Sequence, residues 1–285
     1  MRKLLLLVVV LAVTVVTPAW ADTVGSIFLT GHDPDFHAWV GGNALGAQHI
    51  NQVAINFVTD PAFNPYAAAG VNKFLFVESK ISPPPGHVDG ENGIIFSGYT
   101  AGVDYDVATA ATLAAALGQL GTTYDAIVIA SDFGGILTQA ELDILNANSG
   151  LIISFLNSGG GLYAMAESDS GAGLTPNGGW FNYLPCVVPN AQKDQSEAGF
   201  TVTPFGAGLG LTANDVNGNA SHNIFTDTCG MNIVDQDASG AIMSLAAHGK
   251  VTGGGIEQVP EPASLLLFGS GLVGLAGAAR RRLLG

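Results

Sequence analysis

The sequence predicts an α/β layered fold built on a mainly parallel sheet, and three observations carry that reading. Two runs, Tyr124–Ala130 and Leu162–Glu167, are almost wholly apolar, as strands buried on both faces of a parallel sheet are. Between them lies a helical stretch that opens on Thr138-Gln139-Ala140-Glu141 and closes on Ser158-Gly159-Gly160-Gly161. Short β-rich runs also alternate with helical ones along most of the chain, which favours crossover connections and a layered architecture.

In chain order, Ser26–Thr30 is the first expected strand, and Gln48–Val58 has helical spacing through Ile50, Val53, Ala54 and Phe57. Lys73–Glu78 is the second strand. Asp106–Leu120, dense in Ala and Leu, predicts a helix ended by Gly121. Thr138-Gln139-Ala140-Glu141 is a capping box: the hydroxyl accepts from the third helical N–H while Glu141 reaches back. Leu142, Leu145 and Ile152–Leu156 continue that helical stretch. After Gly171 the chain becomes loop-rich, with strands expected at Phe200–Pro204, Asn232–Val234 and Ile242–Ala246.

Charge divides the 285 residues into three parts. Of nine basic residues, Arg2 and Lys3 open the chain and Arg280, Arg281 and Arg282 close it. The central segment, 22–258, holds four lysines against 22 acidic residues, about −18 with His neutral. Such a surface repels phosphate backbones and anionic headgroups, which excludes nucleic acid as a partner. Only 11% of residues are charged, against roughly 25% in ordinary soluble domains, so the segment has ample apolar material for a core.

Both ends read as targeting segments. Residues 1–21 have the form of a secretory signal peptide: a basic start, the apolar stretch Leu4–Val16, and the small-x-small cleavage site Ala19-Trp20-Ala21. At the other end, residues 259–285 begin with Pro260-Glu261-Pro262, rigid because each proline fixes its own φ. An apolar span, Ser264–Ala279, and then the arginine cluster follow. At about 1.5 Å per residue the span reaches roughly 25 Å, enough for a thin transmembrane helix, and the arginines hold its end in the cytoplasm.

This tail resembles the PEP-CTERM sorting signal. The resemblance implies a Gram-negative host, export by signal peptidase and the secretion machinery, and recognition of Pro-Glu-Pro by an exosortase-type membrane protease that removes the tail. It also implies a role in exopolysaccharide or biofilm matrix, with extracellular polysaccharide as a partner.

The central segment resembles the class I glutamine amidotransferase-like fold, a flavodoxin-like layered architecture, in its order of Tyr124–Ala130 strand, capped helix, triple glycine and Leu162–Glu167 strand. Gly31-His32-Asp33-Pro34-Asp35-Phe36-His37 is similar to the first loop of trehalose-utilisation-type relatives. That fold implies a cysteine nucleophile where a strand turns sharply into a helix, here about Ala166-Glu167-Ser168. Ala166 stands at the key position, so acyl transfer from glutamine lacks its attacking group. Ser168 with His222 as base is the catalytic alternative; a helix-capping serine and a lone loop histidine are the structural ones.

Open α/β sheets bind ligands at the carboxyl ends of their strands. There the sequence offers His32, Asp33, Asp35, His37, Asp132, Glu167 and Asp169, of which His32, Asp33, His37, Asp132 and Glu167 are the main candidates for a ligand or divalent cation. No other cofactor is expected. Asp33 and Asp132 serve equally well as turn or cap residues. Asp215-Val216-Asn217-Gly218-Asn219 has oxygen-bearing side chains at alternate positions, like the first half of a calcium loop, but Ala220 and Thr226 depart from that pattern. His49, His87 and His248 have no evident partners. Cys186 and Cys229, in an exported segment, are expected to pair as a disulfide. The functional expectation is an exported, non-catalytic binding or matrix protein; the alternatives are a hydrolase of a sugar-derived or amide substrate and a purely structural matrix component.

Overall fold

The computed structural model describes residues 24–79, 90–132, 137–165, 181–184, 186, 190–192, 198–221 and 223–259. The stretches read as targeting segments from the sequence, 1–21 and, apart from Val259, 259–285, therefore lie outside the described residues. Among those that are described, no helix is long and apolar enough to cross a membrane.

A mixed sheet forms the centre of the protein. Five strands, β1 (Gly25–Thr30), β2 (Phe74–Val77), β3 (Tyr105–Ala108), β4 (Ala126–Ile129) and β5 (Gly161–Met165), run parallel in the spatial order β3-β2-β4-β5-β1. Their residues alternate between two apolar clusters. Ile27, Leu29, Leu75, Val77, Ile127, Ile129 and Leu162 face one side; Phe28, Phe74, Phe76, Val128, Tyr163 and Met165 face the other. Burial on both faces explains why these strands read as continuous apolar runs.

The helices complete three layers. Short α1 (Pro34–His37) and long α2 (Ala44–Val58) follow β1; α3 (Pro65–Ala68) precedes β2, and α4 (Glu91–Phe96) connects β2 to β3. Ile50, Val53, Phe57 and Ile94 pack on the second cluster. After β3, α5 (Leu113–Leu117), α6 (Gln139–Ala147) and α7 (Ser149–Asn157) pack Leu113, Leu117, Leu142, Leu145, Ile152 and Leu156 on the first. The change of face has a topological cause. From β1 through β3 the chain moves one way across the sheet, and from β3 to β5 it moves back. A constant crossover hand must then place the two sets of helices on opposite faces.

The strand order differs from the flavodoxin-like chain order 2-1-3-4-5. Counting β1 last restores it, because β1 occupies the place of a fifth strand beside β5. Beyond β1 the sheet turns antiparallel. The long β10 (Ile242–Thr252) pairs with all of β1, from Gly25 with Gly249 to Thr30 with Ser244. Further antiparallel pairing adds β6 (Asn190–Gln192), β7 (Thr201–Val202), β8 (Asn223–Phe225), β9 (Asn232–Gln236) and β11 (Gly255–Gln258).

Most predicted elements are present, and two are corrected. Asp106–Leu120 is not a single helix. Its first residues belong to β3, where Tyr105 and Ala108 are buried against β2, and helix is confined to α5. Tyr and Val favour the pleated, half-buried surface and outweigh the alanines that follow. Gly121, with φ +77°, closes a turn into β4 rather than ending the helix. Phe200–Pro204 also divides: two residues form β7, and Pro204 begins α8 (Pro204–Gly208) behind a Thr203 cap. The capping box at Thr138 forms as expected. Cys186 and Cys229 are joined, with Cα atoms 6.3 Å apart, tying the segment after Leu184 to the turn before β9.

Candidate functional site

The loop leaving β1 supplies three of the predicted site residues. His32 is buried, and its Nε2 lies 2.8 Å from Oδ2 of Asp235 on β9 while its ring meets Phe200 edge-on at 5.1 Å. Asp33 precedes α1 and His37 ends it, so the two stand one helical turn apart. Their Oδ1 and Nε2 atoms are 3.5 Å apart, and Nδ1 of His37 lies 3.3 Å from the carbonyl oxygen of Val40. His32, Asp33 and His37 do line a common crevice, with Ile50, Asp215 and Asn219 on its other wall. Its volume is about 10 Å³, room for about one water.

Asp132 is buried just beyond β4, outside that crevice. It follows Ser131 where adjacent strands β2 and β4 send their connections to opposite faces, the switch point at which open sheets gather ligands. Glu167, Ser168, Asp169 and His222 lie outside the described residues, as do Ala166, His87, Pro260, Glu261, Pro262, Arg280, Arg281 and Arg282. Among the described residues, no group of three or more His, Cys, Asp or Glu side chains is disposed to hold a metal ion.

Asp35, placed in the same loop by sequence, has a clear structural task. Its Oδ1 accepts from the Ser131 hydroxyl (2.8 Å) and the Phe36 N–H (3.0 Å), and its Oδ2 accepts from the Ser131 N–H (2.9 Å). This clamps the β1 loop to the carboxyl end of β4. Gly93 of α4 packs directly on the Asp35 backbone, where a Cβ would collide with the carbonyl. Beneath it, the Tyr163 hydroxyl donates to Asn51 Oδ1 (2.9 Å), and Asn51 Nδ2 donates to Pro34 O and Ser97 Oγ (both 3.0 Å). Burial, and secondarily the Asp35 charge, hold the Tyr163 phenol well above its ordinary pKa. A network bonded this fully fixes the loop's shape.

The calcium-like spacing of 215–219 closes turns. Asp215 Oδ2 accepts from the N–H and hydroxyl of Thr212 (2.7 and 2.8 Å) and stands 3.1 Å from Nδ1 of His49. Asn217 exchanges hydrogen bonds with the backbone of Phe200, and Asn219 with that of Asn43. Alternate oxygens in this loop are thus turned toward neighbouring chain segments. His248 is sandwiched between Phe63 and Phe57, at ring-centroid distances of 3.6 and 4.1 Å, with Nδ1 2.8 Å from the Ser26 hydroxyl. Burial lowers its pKa to about 4.

Sequence reasoning missed the opposite end of the parallel strands. There Asp125, one residue before β4, borders a cavity of about 210 Å³. An acidic residue at the threshold of a wholly apolar strand was the available signal, but the carboxyl-end rule directs attention to the other edge.

Comparison with known proteins gives one match. No curated protein and no solved structure matches the chain. Residues 258–282 match the PEP-CTERM protein-sorting motif, which marks the chain as an exported protein sorted by an exosortase and anchored transiently in the membrane.

Proposed function

We propose that the processed protein, residues 22–258, acts outside the inner membrane as a non-catalytic binding protein of the extracellular matrix, with exopolysaccharide as its partner. The sorting motif at 258–282 carries this reading, because it directs the anionic central segment to the compartment where that polymer lies. Signal-peptide removal after Ala21 and exosortase cleavage near Pro260-Glu261-Pro262 would generate the processed form. The absence of cysteine at Ala166 supports binding over acyl transfer. The succession of β4, α6, α7 and β5 supports an amidotransferase-like ancestry, with β1 in the place of a fifth strand.

The test uses the protein made in an exosortase-bearing host. Mass spectrometry should find both terminal segments removed, and the purified product should co-sediment saturably with the host's own exopolysaccharide. An intact tail in that host would refute the sorting step. A correctly processed protein that leaves the polymer unbound would refute the binding role alone.

A further inference from the structure

Beneath the amino ends of β2, β3 and β4 lies a cavity of about 210 Å³, lined by Ile55, Thr59, Phe74, Tyr99, Asp104 and Asp125 among others. At about 30 Å³ per water this is space for roughly seven waters, suited to a small metabolite and below the size of a drug-like site. Asp125 is 2% exposed, and its Oδ1 has no hydrogen-bond partner among the described residues. The backbone around it is fixed on both sides: its N–H donates to Lys73 O (2.9 Å), and its carbonyl accepts from Asn64 Nδ2 (2.8 Å) and Gly161 N (3.0 Å). These bonds hold the Asp125 backbone at the rim of the cavity. A buried acid in this condition is costly unless something supplies a hydrogen bond or an opposite charge.

We propose that this cavity binds a small organic cation bearing a protonated amine, with Asp125 as its anchor. Three features of the lining select a cation. Asp104 contributes a second carboxylate, oriented through its Oδ2 by the Thr100 N–H (2.7 Å). Tyr99, set edge-to-face on Phe74 at 5.5 Å, adds an aromatic surface of the kind that attracts ammonium groups. No lysine or arginine is among the lining residues, and Lys73 nearby is engaged by Asp106 at 3.1 Å. The acidic surface would draw a cation inward as well. Burial pushes the Asp125 carboxyl up to about 7, against the lowering pull of the Asp125 and Ala126 backbone N–H groups, so an opposite charge in the cavity would favour its ionised form. An uncharged polyol would supply hydrogen bonds but could not offset the charge. This inference stands apart from the polysaccharide reading.

Isothermal titration calorimetry of the processed protein at pH 8 tests it, with 1,4-diaminobutane as the cationic probe and 1,4-butanediol as its uncharged counterpart. The diamine should bind saturably and the diol should not. Asp125→Asn should weaken diamine binding by about 10- to 100-fold, as expected for loss of a charge-assisted hydrogen bond. Tyr99→Leu, which leaves both carboxylates in place, should weaken it several-fold and serves if the first variant does not fold. No diamine binding, equal binding of the diol, or a folded Asp125→Asn protein that binds as tightly as the parent would each overturn the proposal.

Discussion

At the carboxyl ends of the parallel strands, Asp35 and Glu141 have both carboxylate oxygens met by donors from within the chain. Asp35 receives the Ser131 N–H and hydroxyl, and Glu141 receives Ser79 and Thr138, whereas Asp235 meets His32 through Oδ2 alone. At the amino ends, Asp125 is buried just as deeply, yet one of its oxygens has no donor among the described residues and it borders a larger cavity. Depth of burial is the same; supply of hydrogen bonds differs. The first arrangement fixes loops, whereas the second leaves a chemical demand that a ligand can meet. Acidic residues gathered at a sheet edge therefore say little until their donors are counted.

Removing one acid from each end puts this contrast to a direct test, and the largest effect should come from Asp125→Asn. Its carboxyl is raised from 3.8 to about 7, so between those values the folded state binds more protons than the unfolded state. Stability consequently falls as pH rises through that window, and the penalty is complete above about pH 7. Asp125→Asn removes it, so the variant should gain on the parent with increasing pH, by on the order of 4 kcal/mol at pH 8. Urea denaturation from pH 4 to pH 8 measures the difference. Asp35→Ala should behave oppositely, losing about 3 kcal/mol near neutrality because both Ser131 donors are stranded. If both variants lose stability at pH 8, the two edges do not differ as described.

His248 lies at the amino end too, beside the start of β1, and sharpens the comparison from the acid side. Its pKa falls from 6.5 to about 4 through burial, partly opposed by the Asp60 charge. Between pH 4 and 6.5 the unfolded state binds more protons, so this group makes stability rise with pH, by on the order of 3 kcal/mol across the window. That slope opposes the slope from Asp125. His248→Phe retains an aromatic ring between Phe57 and Phe63 but cannot titrate. Relative to the parent, it should gain stability as the pH is lowered from 6.5 to 4. A constant difference over that range would show that the imidazole titrates normally in the fold.

The sequence made one of these edges far more legible than the other. Continuous apolar strands, the α2 spacing and the Thr138 capping box are local patterns, and each corresponds to an element of the structure. The β3 strand was hidden because four residues of strand run into an alanine-rich turn and helix, and pairing with β2 decides the outcome. The His32, Asp33 and His37 group was found because those residues are neighbours in the chain. Their partners were not: Asp235 is 203 residues from His32, and Ser131 is 96 from Asp35. The cavity at Asp125 gathers residues from five separate chain segments, so no short motif announces it.

The smallest expected effect lies at the capping box, where donor supply can be reduced without removing an acid. Glu141 Oε2 accepts from the Thr138 N–H (2.8 Å) and hydroxyl (3.0 Å), and Oε1 accepts from the Ser79 hydroxyl (2.6 Å). Its pKa is raised by burial, with Ser79 and Thr138 holding that rise in check. Thr138→Ala deletes one of these donors and the cap on Glu141 N–H, and should cost about 1 kcal/mol in urea denaturation at pH 7. It should also raise the Glu141 pKa further, which a carboxyl-selective NMR titration would record as a later midpoint. A stability loss with an unmoved Glu141 titration would mean that the hydroxyl serves the helix end alone. The carboxyl edge would then owe its quiet acids to the backbone and Ser79 rather than to the side chain that the sequence singled out.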